Sequence, residues 1–251
     1  NVGPEILKRI EQIKRTSLIQ LKDDFKIYWE KFPIAKLSPG KDYLNPEIIL
    51  IIDDMVDNTD QIKFSKFLSD WINNKISEEL KSLINLKKIN VSNTSIRALA
   101  YQLYENNGVI KRENVKDFLK NLGQDERKIL RSMGVKFGRY HIFLFKLFKP
   151  NSVSLRIALW KNFHQKYFNL KPPTFGLNFI IKKNTDNENF MLLCGFEKIN
   201  NFFVRIDILE RLFINIMNLN TKNNSEIKLI PEMLNLLGCN KENFIQLIKS
   251  L

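Results

Sequence analysis

Four aspartates lie close together in the first quarter of the chain: Asp53, Asp54, Asp57 and Asp60. Closely spaced carboxylates can ligate a divalent cation or form the carboxylate cluster of a nuclease. The same spacing is typical of a solvated acidic loop in which Asp60 caps the following helix, and this second interpretation is the favoured one. We therefore assign no catalytic residue and no metal ligand to the cluster.

Nucleotide and metal motifs are missing from the sequence. Neither G-x-x-x-x-G-K-[ST] nor G-x-G-x-x-G occurs, so no phosphate-binding loop of either type is expected. The chain has two histidines and two distant cysteines, which form no recognisable zinc-ligand spacing. We expect no cofactor in this chain. Cys194 and Cys239 are expected to pack as small hydrophobic residues without a disulfide, as in a reducing compartment.

Positive charge is concentrated in residues 127–185, here called the basic block. The block contains 13 Lys and Arg and no Asp or Glu, in a chain of net charge +13 with 40 basic and 27 acidic residues. Both histidines and 11 of the 28 aromatic residues also lie in it. A local basic field with interspersed aromatic residues is typical of a surface that binds a polyanion, most often nucleic acid. A chance composition and a membrane surface are the less favoured alternatives.

Lys and Arg in such a surface contact phosphates, and aromatic residues stack on bases. The predicted nucleic-acid-binding residues are Lys136, Arg139, Tyr140, His141, Lys146, Lys149, Arg156 and Lys161. Two interpretations of His141 stay open: contact with a phosphate or base, or stabilisation of a turn by hydrogen bonding. His164, one turn after Trp160 on a predicted helix, is expected to be a packing or surface residue.

Hydrophobic periodicity predicts a fold that is mainly α with two small antiparallel β elements, an α+β fold. Helices are predicted near 4–21, 60–86, 92–106, 112–121, 125–133, 151–167, 204–219, 225–237 and 241–251. Ser92 or Asn93 is expected to cap the third of these. Three strands are predicted near 25–29, 34–37 and 48–52, and a hairpin is predicted from 179–181 and 191–194. Residues 135–144 are predicted to be a strand or an extended loop.

Changes of periodicity divide the chain into three predicted segments. Residues 1–58 form an N-terminal helix and small sheet, residues 59–170 a helical region with the basic block, and residues 171–251 a hairpin followed by helices. No apolar run approaches the roughly 18 residues that a membrane span needs. The chain begins at Asn1 rather than at Met, and we expect it to be an internal piece of a longer cytoplasmic protein.

Several segments carry a resemblance to a known family. They are 97–103 (RALAYQL), 134–142 (GVKFGRYHI), 147–150 (LFKP), 204–212 (VRIDILERL) and 231–234 (PEML). Together, in this order, they resemble the C-terminal part of alphaproteobacterial superfamily 2 helicases, whose motor is similar to that of the mitochondrial RNA-degradosome helicase. The chain departs from the family at Phe145, where proline is usual, and in its richness in Lys and Asn.

The resemblance implies an accessory region of an ATP-dependent helicase whose motor lies upstream in the same polypeptide. ATP and Mg²⁺ are then expected in that motor and not in this chain. The implied partner is RNA or DNA, single-stranded where it enters or leaves the motor. The resemblance carries over no catalytic residue. The alternative is a structural or protein-interaction module that docks onto the motor or onto a nuclease partner.

Overall fold

A computed structural model describes residues 18–51, 58–89, 93–183, 186–220 and 230–251. The chain divides into two compact units. Unit 1 comprises Asn1–Glu79 and Ser154–Leu170, and unit 2 comprises Leu80–Val153 and Lys171–Leu251. None of the helices in the described ranges is long and apolar enough to cross a bilayer.

Unit 1 contains a four-stranded antiparallel sheet in which strands adjacent in sequence are also adjacent in space. Its strands are β1 (Ile19–Leu21), β2 (Lys26–Trp29), β3 (Phe32–Ser38) and β4 (Glu47–Leu50). The three predicted strands are confirmed within the described residues, and β1 is a fourth. The predicted first helix was expected to extend into β1, but pairing of Ile19 with Trp29 makes these residues a strand. Most of that predicted helix lies outside the described residues.

The long helix predicted over 60–86 is two helices, α1 (Asn58–Glu79) in unit 1 and α2 (Lys81–Lys87) in unit 2. The helical path breaks at Leu80, which has φ −108° and ψ 21°. Asp60 lies in the first turn of α1, with its carboxylate 3.7 Å from the Lys63 ammonium. Asp53, Asp54 and Asp57 lie outside the described residues. One stripe of α1 is buried: Phe64, Leu68, Trp71, Ile72 and Ile76.

Unit 2 continues with α3 (Thr94–Glu105), whose start was predicted at Ser92 or Asn93. The Asn93 side chain accepts hydrogen bonds from the N–H groups of Ser95 and Ile96 at 2.9 and 3.1 Å, so Asn93 is the cap. Ser92 lies outside the described residues. The chain then forms β5 (Val109–Lys111), the 3₁₀ turn Arg112–Val115, α4 (Lys116–Lys120) and α5 (Gln124–Ser132).

Residues 135–144, which were predicted to be a strand or an extended loop, form a hairpin of β6 (Val135–Phe137) and β7 (His141–Leu144). β7 lies in the middle of a three-stranded antiparallel sheet of order β5-β7-β6. All four of its residues are buried, including His141, which pairs with Lys111. The turn of this hairpin, residues 138–140, lies beside His141 and positions the candidate site.

After a 3₁₀ turn at Phe145–Phe148, the chain forms α6 (Pro150–Phe163) and a second 3₁₀ turn at Gln165–Tyr167. The division between the units falls within α6, at Val153 and Ser154. Residues of α6 after Val153 therefore belong to unit 1, and the β6–β7 hairpin belongs to unit 2.

The predicted hairpin of 179–181 with 191–194 is wrong. Residues Glu188–Leu193 form helix α7, because the Asn187 side chain accepts the Phe190 N–H at 2.9 Å and starts a helix there. The remaining elements are β8 (Phe179–Ile181), β9 (Phe196–Ile199), β10 (Phe202–Arg205), α8 (Ile206–Asn220), α9 (Pro231–Leu237) and α10 (Lys241–Ile248).

These strands form a third antiparallel sheet of order β8-β10-β9. The α+β class is therefore confirmed, with three small sheets in the described residues instead of two. Helix α8 packs Leu209, Leu212 and Ile216 into an apolar cluster with residues of α9 and α10. This packing fixes the position of α8 and, with it, the position of Glu210.

Candidate nucleic-acid interface

The turn between β6 and β7 is held by one carboxylate from α8. Glu210 accepts hydrogen bonds from three successive backbone N–H groups, those of Arg139, Tyr140 and His141, at 2.5, 2.8 and 2.7 Å. Successive N–H groups that converge in this way form a concave anion site. In this protein the anion is an internal glutamate, and its side chain is 6% exposed.

The imidazole of His141 lies between two buried carboxylates. Its Nε2 is 2.8 Å from Glu197 Oε2, and its Nδ1 is 3.3 Å from Glu210 Oε1. Both ring nitrogens face acceptors, so the imidazolium, which donates from both nitrogens, satisfies both partners. His141 is 2% exposed. Of the two interpretations of His141, the geometry therefore supports the structural one.

The pKa values of these groups follow from the same contacts. Burial lowers the pKa of His141, but hydrogen bonds and charges from Glu197 and Glu210 outweigh burial and hold it above the usual 6.5. Burial raises the pKa of both glutamates, and their contacts reverse that effect. His141 and Lys111 lower the pKa of Glu197, and His141 with the three backbone N–H groups lowers that of Glu210. The contacts therefore favour the charged form of each of the three groups.

Gly138 is required at the start of the turn because of its small size. A Cβ on this residue would lie 2.3 to 2.7 Å from the carboxylate atoms of Glu210. Arg112 holds the turn from the other side, donating from Nη1 to the Gly138 carbonyl at 2.7 Å and from its backbone N–H to the Tyr140 carbonyl at 2.8 Å. The backbone of Arg139 is thus fixed while its side chain remains exposed.

A cleft of about 710 Å³ opens beside this turn. Its lining combines the end of β5, the start of α4, the β6–β7 turn and residues near the β9–β10 turn. Arg139 is part of its lining, with the guanidinium 5.6 Å from the ring centroid of Phe213, and the Tyr140 ring packs edge-on against the same phenylalanine at 5.4 Å. The basic residues that line the cleft are Lys111, Arg112, Lys116, Arg139 and Lys198.

Three of the predicted residues, together with Phe145, which was not predicted, form what we call the basic–aromatic patch: Lys136, Phe145, Lys146 and Lys149. The three lysines are exposed. The Lys136 ammonium lies 5.2 Å from the ring centroid of Phe145, which is 40% exposed. Lys146 and Lys149 are one 3₁₀ turn apart, with the Lys149 N–H donating to the Lys146 carbonyl at 3.3 Å. The patch therefore combines three cations with an accessible aromatic ring.

Arg156 and Lys161 belong to unit 1, whereas the other six predicted residues belong to unit 2. Arg156 is 1% exposed. Lys161 is half-buried, and its ammonium donates to the Leu170 carbonyl at 2.7 Å. Burial of Arg156 and internal bonding of Lys161 leave neither cation directed at a ligand, so we correct the prediction and exclude both from the interface. His141 is excluded as a direct contact for the same reason.

His164 is confirmed as a packing residue. Its ring centroid lies 4.7 Å from that of Trp160 and 5.0 Å from that of Phe163. Burial, with the nearby charge of Lys166, lowers the pKa of His164. Cys194 is buried, and burial raises the pKa of the half-buried Cys239 thiol. The raised pKa disfavours the thiolate form that a nucleophilic Cys239 would need.

Glu197 and Glu210 are the site residues that sequence reasoning missed. They follow His141 by 56 and 69 residues, so no local spacing connects them with it. One signal was present: Glu210 directly follows Leu209 and lies on the apolar side of its helix, where an ionised residue needs an internal partner. The basic block thus contains no acidic residue in its sequence, but two glutamates from later in the chain contact one of its residues, His141.

No group of three or more His, Cys, Asp or Glu side chains within the described ranges is arranged to hold a metal ion. The ring nitrogens of His141 are both directed at carboxylates, which makes this cluster a structural one. Comparisons of the chain with models of protein families, with curated proteins and with solved structures gave no match.

Proposed function

We propose that this chain is a nucleic-acid-binding accessory region and that a single strand of RNA or DNA binds across the basic–aromatic patch. The observation that carries the proposal is the ring of Phe145, which is 40% exposed, with the Lys136 ammonium 5.2 Å from its centroid. Lys146 and Lys149, one and four residues further along the chain, are also exposed. Single-strand sites combine cations for the phosphates with aromatic rings on which bases stack, and no sequence preference is needed.

We further propose that the accessory region serves an ATP-dependent helicase. The support is the resemblance of residues 134–142 and of the other matching segments to the C-terminal part of superfamily 2 helicases. ATP and Mg²⁺ would be bound by the motor upstream, and this chain would hold the strand that enters or leaves it. We place this activity in the bacterial cytoplasm, where thiols such as Cys194 and Cys239 stay reduced.

The test is fluorescence anisotropy with labelled single-stranded RNA and DNA over a range of salt concentrations. The patch variant changes Lys136, Lys146 and Lys149 together to Gln. If all three contact phosphates, the slope of log affinity against log salt becomes shallower by about 2, since each contact on a single strand contributes about 0.7. The control variant removes the same charge from three exposed lysines outside the basic block: Lys41, Lys66 and Lys81.

Two results would overturn the proposal. One is absence of binding by the unmodified chain at low salt. The other is a patch variant whose affinity and salt slope equal those of the control variant. Tight binding to the upstream motor combined with absence of binding to nucleic acid would support the protein-interaction alternative.

A further inference from the structure

The cleft beside the β6–β7 turn is lined by basic residues that come from inside and outside the basic block. Lys111 and Lys116 precede the basic block, Lys198 follows it, and Arg139 is the only one of these four within it. All four side chains are exposed. The fold therefore extends the basic surface beyond the segment in which the sequence concentrates the charge.

The acidic groups near the cleft are compensated by fixed partners. Glu197 lies between the Lys111 ammonium at 3.2 Å and the His141 ring at 2.8 Å. Glu210 accepts the three backbone N–H groups of the turn. Within the described residues, neither the Lys116 ammonium nor the Arg139 guanidinium has a carboxylate oxygen within 4 Å. Neither charge is therefore neutralised by a carboxylate in this part of the chain, and the exposed Glu113 is the remaining acidic side chain in the cleft lining.

Size and chemistry together identify the ligand class. A volume of about 710 Å³ is within the range of pockets that hold a group of nucleotide size. A guanidinium offers a planar fork that bonds two phosphate oxygens, and the fixed backbone of Arg139 limits the freedom lost on binding. We propose that this cleft is a second contact site for the same strand, in which Lys116 and Arg139 bind phosphodiester groups. This inference rests on the nucleic-acid binding proposed above.

The cleft variant changes Lys116 and Arg139 together to Gln. Loss of two single-strand phosphate contacts makes the salt slope shallower by about 1.4. The matched control changes Lys120, on the same helix as Lys116, and the exposed Arg211 to Gln. Neither control residue lines the cleft. Thermal melting of each variant checks that the fold is intact, since the backbone N–H of residue 139 still reaches Glu210 after the substitution.

A second measurement uses the unmodified chain. Lysine acetylation is followed by mass spectrometry with and without a saturating single-stranded 20-mer. A strand in the cleft protects Lys116 and leaves Lys120 reactive. The cleft inference is overturned if the strand leaves acetylation of Lys116 unchanged and the cleft variant keeps the salt slope of the unmodified chain. If the patch variant still loses affinity in that case, the proposed function stands. Absence of binding by the unmodified chain overturns both.

Discussion

Replacing Glu210 with Gln tests whether one buried carboxylate holds the β6–β7 turn. Glu210 Oε1 accepts the Tyr140 and His141 N–H groups and faces His141 Nδ1, while Oε2 accepts the Arg139 N–H at 2.5 Å. A glutamine keeps one oxygen, so its amide N–H₂ group must oppose a donor at one of these places. A buried hydrogen bond to a charged group contributes about 1.5–3 kcal/mol, and the remaining bonds also lose their charge. We expect the free energy of unfolding to fall by about 2–4 kcal/mol near neutral pH.

The assay is urea unfolding followed by far-ultraviolet circular dichroism, together with hydrogen exchange of a peptide that covers residues 138–144. The backbone N–H groups of residues 139–141, which donate to Glu210, are expected to exchange faster in the variant. Their exchange rates report on the turn alone. Tryptophan fluorescence is less suitable, because Trp29, Trp71 and Trp160 all belong to unit 1. The control is Glu105→Gln, the same chemical change at an exposed position, which we expect to alter stability by less than about 0.5 kcal/mol.

The stability lost in Glu210→Gln is also expected to depend on pH. The folded-state pKa of Glu210 is lowered, so its contribution is present above the usual carboxyl pKa and is lost as pH falls through the folded value. The difference between the unmodified chain and the Gln variant should therefore shrink in acid. Equal stability of Glu210→Gln and Glu105→Gln, or unchanged exchange across residues 139–141, would refute the reasoning.

Three further predictions follow from the same contacts. Gly138→Ala should destabilise the chain by about 1–3 kcal/mol in urea unfolding, because the added Cβ displaces the Glu210 carboxylate; stability equal to that of the unmodified chain would contradict this. Phe145→Ala should weaken single-strand binding about 5- to 150-fold in the anisotropy assay with little change in salt slope, since stacking contributes about 1–3 kcal/mol per base; unaltered affinity would remove the ring from the interface. The loss of stability in His141→Gln should be largest between about pH 4.5 and 6.5, where His141 is protonated and Glu197 ionised, and should decrease as pH rises through the raised pKa of His141. Urea unfolding at about pH 5.5 and 9 measures this difference, and a loss that is independent of pH would contradict it.

Local sequence patterns were sufficient to predict those elements that are stabilised by contacts between residues close in the chain. The buried stripe of α1 follows from apolar residues at helical spacing, and the start of α3 follows from the Asn93 side chain, which bonds N–H groups two and three residues on. The hairpin predicted from 179–181 and 191–194 was wrong for two reasons. β8 pairs with β10, more than 20 residues away along the chain, and the Asn187 side chain caps a helix at residues 188–193.

For the candidate site, the sequence by itself determined where the basic residues are concentrated and that aromatic residues lie among them. Only the tertiary structure decided which of these charges are available to a ligand. It buried Arg156, directed Lys161 to a carbonyl and placed Glu197 and Glu210 against His141. It also placed Lys116 and Lys198 in the lining of the same cleft as Arg139. The physical reason is that burial and ion pairing depend on elements distant in the chain, whereas charge spacing along the sequence does not report on them.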